Sequence, residues 1–297
     1  MALRDLLLCL DPTDAGEARL KLAASIARAR QVRVAGAFLV SELIPGFAPD
    51  EGFGIVAPDR AAAITRGALI AGVPAPGVTP AAPNTLAQLA DIVDQRFRAE
   101  LPPTLQADDW HVLGSGDQEE LIARAKCFDL VVCGQESPDY PVAGGFGPED
   151  IVLGCARPVL VVPYAGTFTE VGRRVLIAWD GTREAVRAVH DSLMLIDAAE
   201  AVTVIAIADK ESDFERWRPA FDRLIRHLGY HGLPAKMEEE VRGDMVVADL
   251  LLSRAADMGA DLIVAGAYHH SPMREAWLGG VSRDLLDHMT VPVLMSH

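Results

Sequence analysis

The sequence lacks most of the motifs that announce a particular chemistry. It has no GxxxxGK[ST] run, so no lysine waits at a phosphate-binding loop. GxSxG, HExxH and a glycine-rich dinucleotide fingerprint after the first apolar run are missing as well. Cysteine is scarce: Cys9, Cys127, Cys133 and Cys155 are the whole complement, with no Cys-x-x-Cys spacing. Cys9 and Cys133 fall inside apolar runs, which reads as buried thiols rather than as a metal site or redox pair. Positive charge is short, with 27 Lys and Arg against 42 Asp and Glu and a net charge of −15. Such a chain repels a polyanion unless a basic patch is set apart, and Arg173-Arg174 stands isolated; nucleic acid is not an expected partner. No apolar run approaches the roughly 18–20 residues that span a bilayer. The N-terminus lacks the charged, apolar and small-residue regions of a signal peptide. A soluble, cytoplasmic protein without a membrane partner is expected.

What the chain does have is length and repetition. Its 297 residues, half of them apolar, are ample for two hydrophobic cores. Leu6-Leu7-Leu8-Cys9-Leu10-Asp11 matches Val175-Leu176-Ile177-Ala178-Trp179-Asp180, each an apolar run ending in Asp ahead of a helical pattern. Asp129-Leu130-Val131-Val132-Cys133-Gly134 matches Asp261-Leu262-Ile263-Val264-Ala265-Gly266, and Arg157–Val162 matches Val291–Ser296. Three matched pairs in the same order indicate a duplication.

Each copy reads as strands alternating with helices. In the second copy the strands are expected near 174–179, 201–207, 235–241, 261–266 and 292–296, with helices near 182–199, 212–231, 244–259 and 281–290. The strands are continuous apolar runs, as in sheets covered on both faces, and the alternation implies parallel strands with right-handed crossovers. The expectation is therefore two tandem five-stranded, parallel, doubly wound domains, 1–166 and 172–297, joined by a short linker. Residues 42–84, rich in Pro, Gly and Ala, read as an insertion after the second strand of copy one, part loop and part helix around 59–70. Along the segment 212–230, Phe214, Trp217, Phe221, Leu224, Ile225 and Leu228 form a stripe at helical spacing that faces the sheet.

Open parallel sheets bind ligands beyond the carboxyl ends of their strands, where the strand order switches. In copy two the loop there runs from Gly266 to Ser282 and closes on Gly279-Gly280 at the start of a helix. Glycines let backbone approach a phosphate, helix-terminal amides attract anions, and Ser282 suits an N-cap or phosphate contact. His269-His270 are adjacent and without carboxylate or thiolate partners at ligand spacing, so a metal is not expected.

The strand ending in Asp180, the Asp-Leu-Ile-Val-Ala-Gly strand and the Leu278-Gly279-Gly280-Val281-Ser282 turn before a Val-Pro-Val-Leu strand resemble the universal stress protein family. The resemblance covers nearly the whole chain apart from 42–84 and implies a Rossmann-like, adenine nucleotide alpha hydrolase-like fold. Its ATP-binding members carry Gly, two residues, Gly, nine residues, then Gly followed by Ser or Thr. Gly266 and Gly279 match the first and third glycines; His269 stands in place of the second and Gly280 in place of the hydroxyl residue. A lost hydroxyl contact to a charged phosphate costs about 1.5–3 kcal/mol. The resemblance implies ATP or AMP as ligand, with Mg²⁺ accompanying it. Asp180 would lie beside adenine or ribose, Gly181 and Thr182 would follow it, the backbone of Ile207 would meet adenine, and Val281 would flank the phosphate turn. An ordinary Asp-Gly-Thr turn is the alternative reading of Asp180.

Copy one departs further. After Gly134 neither the glycine spacing nor the Gly-Ser turn survives, and Glu149 and Asp150 occupy the start of the next helix, where they repel phosphate. No catalytic machinery is visible, so at most slow hydrolysis of bound nucleotide is expected. By resemblance the terminal strands Val159–Val162 and Val293–Met295 pair as in a dimer of single domains, giving an internal pseudo-dimer, with homodimerisation and an unidentified protein partner as further expectations. The expected function is a stress-associated adenine-nucleotide receptor. Its rivals are an interaction module with both sites defunct and a flavin enzyme.

Overall fold

A computed structural model describes residues 2–40, 86–114, 116–137, 147–267 and 280–297. The insertion expected at 42–84 therefore lies outside the described residues, as do His269 and Gly279. Among the described residues no helix is long and apolar enough to cross a membrane.

The chain divides into two compact units. One lies within Arg4–Pro148 with Tyr164–Thr169; the other comprises Glu149–Pro163 and Glu170–His297 with the N-terminal end through Leu3. The first contains β1 (Asp5–Leu10), α1 (Asp14–Arg30), β2 (Arg33–Leu39), α2 (Leu86–Glu100), β3 (Gln106–Leu113), α3 (Gln118–Ala125) and β4 (Leu130–Gly134), with strand order β3-β2-β1-β4. The second contains α4 (Pro148–Cys155), β5 (Val159–Val162), β6 (Arg174–Ala178), α5 (Arg183–Ile196), β7 (Ala201–Ala208), α6 (Glu211–Tyr230), β8 (Ala235–Val241), α7 (Val247–Met258), β9 (Leu262–Gly266), α8 (Gly280–His288) and β10 (Val293–Ser296). Its strands run β5-β10-β9-β6-β7-β8. All are parallel except β5, which pairs antiparallel with β10 through Val161↔Val293, Leu160↔Leu294 and Val159↔Met295. This is the pairing of terminal strands that the family resemblance implied.

The expected elements of the second copy match the observed ones to within a few residues. The reason is visible in the burial: Val175, Leu176, Ile177, Leu262, Ile263 and Val264 are all fully buried, so both faces of each central strand are covered. Each such side chain contributes about 1.5–3 kcal/mol. On α6, Phe214, Phe221, Leu224 and Leu228 are buried, while Trp217 and Ile225 are half-buried. Edge strand β8 carries Glu238, Glu239 and Glu240, paired with Lys236, Arg218 and Arg254, a charged rim that discourages further strand addition. Cys9, Cys133 and Cys155 are buried thiols outside any disulfide, and Cys127 is exposed.

The duplication extends to hydrogen-bond register. In the first unit β1 pairs β4 through Leu6↔Leu130; in the second β6 pairs β9 through Val175↔Leu262, the same residues of the repeat. The entry to each pair is held by a carboxylate. Asp129 accepts the Arg4 amide at 2.8 Å. Asp261 accepts the amides of Gly172 at 2.7 Å, Arg173 at 3.0 Å and Arg174 at 3.1 Å. Burial raises the Asp261 pKa above the ordinary carboxylate value, and the three amides hold it down in part.

Three imidazoles from α5, α6 and the residue after α6 meet at steep angles: His190 lies 5.0 Å from His227, which lies 4.8 Å from His231. His227 Nε2 is buried without a hydrogen-bond partner. Burial lowers the His227 pKa, and the neighbouring His190 and His231 lower it further.

Two predictions follow from these contacts. Asp261→Ala removes a charged acceptor from three backbone amides and is expected to lower unfolding stability by about 1.5–3 kcal/mol in urea titration. Asp261→Asn, which keeps an acceptor oxygen, should lose less. For His227 the folded pKa lies below the unfolded value of 6.5, so the fold favours neutral imidazole. Its stabilisation is full above that value and is lost as pH falls through the folded pKa. The urea midpoint should drop more between about pH 7.5 and 5.5 in the native chain than in His227→Leu; parallel pH profiles would contradict the assignment.

Candidate functional site

In the second unit the strand order reverses between β6 and β9, and a cavity of about 380 Å³ opens above their carboxyl ends. Its floor is made by the last residues of the strands. Ala178, Trp179 and Asp180 come from β6 and the turn after it, Ile205 and Ile207 from β7, Ala265 and Gly266 from β9, and Met295 from β10. Its walls are the first turn of α5, the start of α7 through Val247 and Leu251, and α8 through Gly280, Val281, Ser282 and Leu285.

Local sequence explains how each wall is held. Asp180 Oδ1 accepts the Thr182 amide at 2.9 Å and the Thr182 hydroxyl at 2.6 Å. Thr182 in turn caps α5, its Oγ1 accepting the Ala185 amide at 3.2 Å. Gly181 makes the turn between them at φ +76°, a conformation costly for other residues. A Cβ added to Gly266 would fall 2.5 Å from Ala185 N and 2.6 Å from Glu184 C, so this glycine is what lets the first turn of α5 settle on the end of β9. Ser282 is buried in the first turn of α8, whereas Val281 is 43% exposed. Trp179 is fixed from beneath: its amide donates to Ile205 at 2.9 Å and its ring meets Phe221 edge-on at 6.5 Å.

Of the expected site residues, the structure brings Asp180, Thr182, Ile207, Gly266, Gly280, Val281 and Ser282 together around this one cavity. Gly181 shapes the turn without lining it. His269 and Gly279 lie outside the described residues.

Three contributions escaped the sequence reading. Glu184 is a wall residue at 2% exposure, its carboxylate contacting the guanidinium of Arg183. Its place two residues past the Thr182 cap, in the acidic first turn of a helix, was a usable signal. Val247 and Leu251 are an i,i+4 apolar pair opening a helix, a pattern that marks an inward face without saying that it faces a ligand. Trp179, inside the repeated apolar run, was legible only as strand. The charged side chains in the described lining, Asp180 and Glu184, are both carboxylates.

In copy one, Glu149 and Asp150 stand in the first turn of α4, as expected from the sequence. Asp11 repeats the turn of Asp180, accepting the Thr13 amide at 3.0 Å.

The sequence profile of the universal stress protein family matches residues 172–297. No functionally curated protein matches the chain. Among solved structures, a universal stress protein from Archaeoglobus fulgidus aligns over 98% of this chain and 97% of that one, with 13% identity and a TM-score of 0.63. A functionally unknown protein from Pseudomonas aeruginosa aligns over 99% of this chain and 92% of that one, at 17% identity and a TM-score of 0.58. A universal stress protein in complex with cAMP aligns with 42% of this chain and 96% of that one, at 20% identity and a TM-score of 0.33. Residues 172–297 thus match the universal stress protein family, and along its whole length the chain shares the fold of a solved universal stress protein.

Proposed function

We propose that the C-terminal domain, residues 172–297, is a receptor for an adenine nucleotide in a stress-associated protein, and that the N-terminal domain, residues 1–166, is its scaffold. The observation that carries this reading is the convergence of Asp180, Thr182, Ile207, Gly266, Gly280, Val281 and Ser282 on a single cavity at the reversal of strand order. A volume of about 380 Å³ lies within the range of small-molecule sites, about 300–1,000 Å³.

The chemistry of the wall divides the ligand into two ends. Ile205, Ile207, Trp179, Val247 and Leu251 offer an apolar and aromatic surface suited to a purine. Gly280, Val281 and Ser282 open α8, whose dipole favours an anion at this end. Gly279 and His269 complete the phosphate turn in this reading. Asp180 accepts hydrogen bonds on one oxygen from Thr182 and can accept ribose hydroxyls on the other. With two carboxylates in the lining, a polyphosphate needs compensation. Mg²⁺ bound to the nucleotide would supply it by neutralising phosphate charge. Ligand holding rather than turnover is the role proposed, with hydrolysis at most slow.

Calorimetric titration of the full chain with ATP, AMP and cAMP in Mg²⁺ tests this. Gly280→Glu is the matched variant: a Cβ at Gly280 meets nothing within 4 Å, and a carboxylate in the first turn of a helix favours its dipole, so the fold should tolerate it. The native chain is expected to bind one nucleotide, and the variant to bind at least about ten-fold more weakly, a loss of about 1.4 kcal/mol, with an unchanged melting temperature. Equal affinity in both would remove this cavity as the site. Silence in both, with no thermal shift on adding nucleotide, would favour the interaction-module reading.

A further inference from the structure

The two copies differ at a buried position beside the carboxyl ends of their central strands, Arg19 in the first and Ala188 in the second. With the strand registers superposed, Asp11 corresponds to Asp180, Thr13 to Thr182, Gly134 to Gly266 and Arg19 to Ala188. The turns are alike: Gly16 N donates to Thr13 Oγ1 at 3.1 Å, as Ala185 N donates to Thr182 Oγ1. Beyond the turn the likeness ends. Ala188 is 1% exposed and gives α5 only a methyl group there. Arg19 is 3% exposed and reaches from α1 over the carboxyl ends of β1 and β4.

Two nitrogens of the Arg19 guanidinium are bound at the ends of these strands, and the third lies against Gly134. Nε donates to the Cys9 carbonyl at 2.8 Å, and Nη2 pairs with Asp11 Oδ2. A Cβ on Gly134 would collide with Nη1, so only glycine leaves room for the arginine there. In the second copy the equivalent glycine is covered by helix backbone, and the space beyond it is the open cavity. Sequestering an arginine from water is expensive unless charge and hydrogen bonds are met, and here Asp11 and the Cys9 carbonyl meet them. The planar fork suits this role, because it presents donors to a carboxylate and a carbonyl at once, which a lysine ammonium does not reproduce.

We propose that Arg19 is an internal ligand: its guanidinium fills the switch-point crevice of the first copy, so that among the described residues the crevice left open to a small molecule is that of the second copy. The count of ligands rests on the nucleotide reading above, whereas the occupancy of the crevice by guanidinium does not. The two parts can therefore fail separately.

The test uses the full chain with Arg19→Ala. Excising the side chain leaves a guanidinium-shaped hole beside Asp11 and the Cys9 carbonyl. Guanidinium chloride at about 10 mM, far below the molar range in which it denatures, should raise the melting temperature of the variant and leave the native chain unmoved. Sodium chloride at the same concentration should leave both unmoved. A variant that guanidinium does not stabilise beyond sodium would overturn the proposal. If Arg19→Ala does not fold, the native chain decides: the Arg19 Nε–H resonance, identified by its loss in a folded Arg19→Lys chain, should exchange slowly with solvent, and fast exchange would overturn the proposal. Nucleotide titration gives the count. One equivalent for the native chain is expected, and two equivalents would overturn the proposal; Glu149 and Asp150 keep phosphate from the first crevice even in Arg19→Ala, so the guanidinium experiment alone reads its occupancy. No binding by the native chain would refute the receptor reading and leave the guanidinium experiment to decide alone.

Discussion

The reversal of strand order between β6 and β9 is the constraint on which the site depends. Right-handed crossovers send α5 and α8 to opposite faces of the sheet, so the chain leaves the carboxyl ends of these neighbouring strands in divergent directions. A gap is unavoidable there. Its size is set by how closely the departing helices can return. Gly266 lets the first turn of α5 rest directly on β9, and α7 packs against α8 on the other side. At the opposite end of the same two strands Asp261 gathers three amides of the entering chain. The central pair is thus pinned by a carboxylate where it begins and by a helix terminus where it ends. That rigidity allows the few residues above it to keep fixed positions.

Much of this was readable from the residues themselves. Continuous apolar runs bounded by Asp and Gly located the central strands. The apolar stripe on α6 indicated its buried face, because burial on both sides of a sheet and on one side of a helix leaves unmistakable periods. The candidate cavity was readable in outline: residues separated by as much as a hundred positions were expected to converge because the fold forces strand ends together. What was not readable depended on contacts between side chains distant in sequence. Asp261 looks like the first residue of a strand, and nothing local says that its carboxylate will hold residues 172–174. Arg19 sits in a helix where arginine is by default solvated. Only the crossing of α1 over β1 and β4 turns it inward. Val247 and Leu251 looked like core, which they are, and the same apolar surface also walls the cavity.

The comparison of the two copies also bears on how Asp180 should be understood. Its carboxylate has a structural task that is complete without any ligand: one oxygen ties down the Thr182 amide and hydroxyl and so sets the cap of α5. Asp11 performs the same task for Thr13 and α1 in a crevice that an arginine fills. A strand-terminal Asp followed by a Thr cap therefore marks the turn of this fold rather than a ligand. The distinguishing position lies about two helical turns further along the helix, where Ala188 in one copy corresponds to Arg19 in the other. A methyl group leaves the second oxygen of the carboxylate open to the cavity, and a guanidinium consumes it. Whether a copy of this fold can receive a small molecule is then governed less by the residues that resemble a binding motif than by the side chain that the neighbouring helix sends across it.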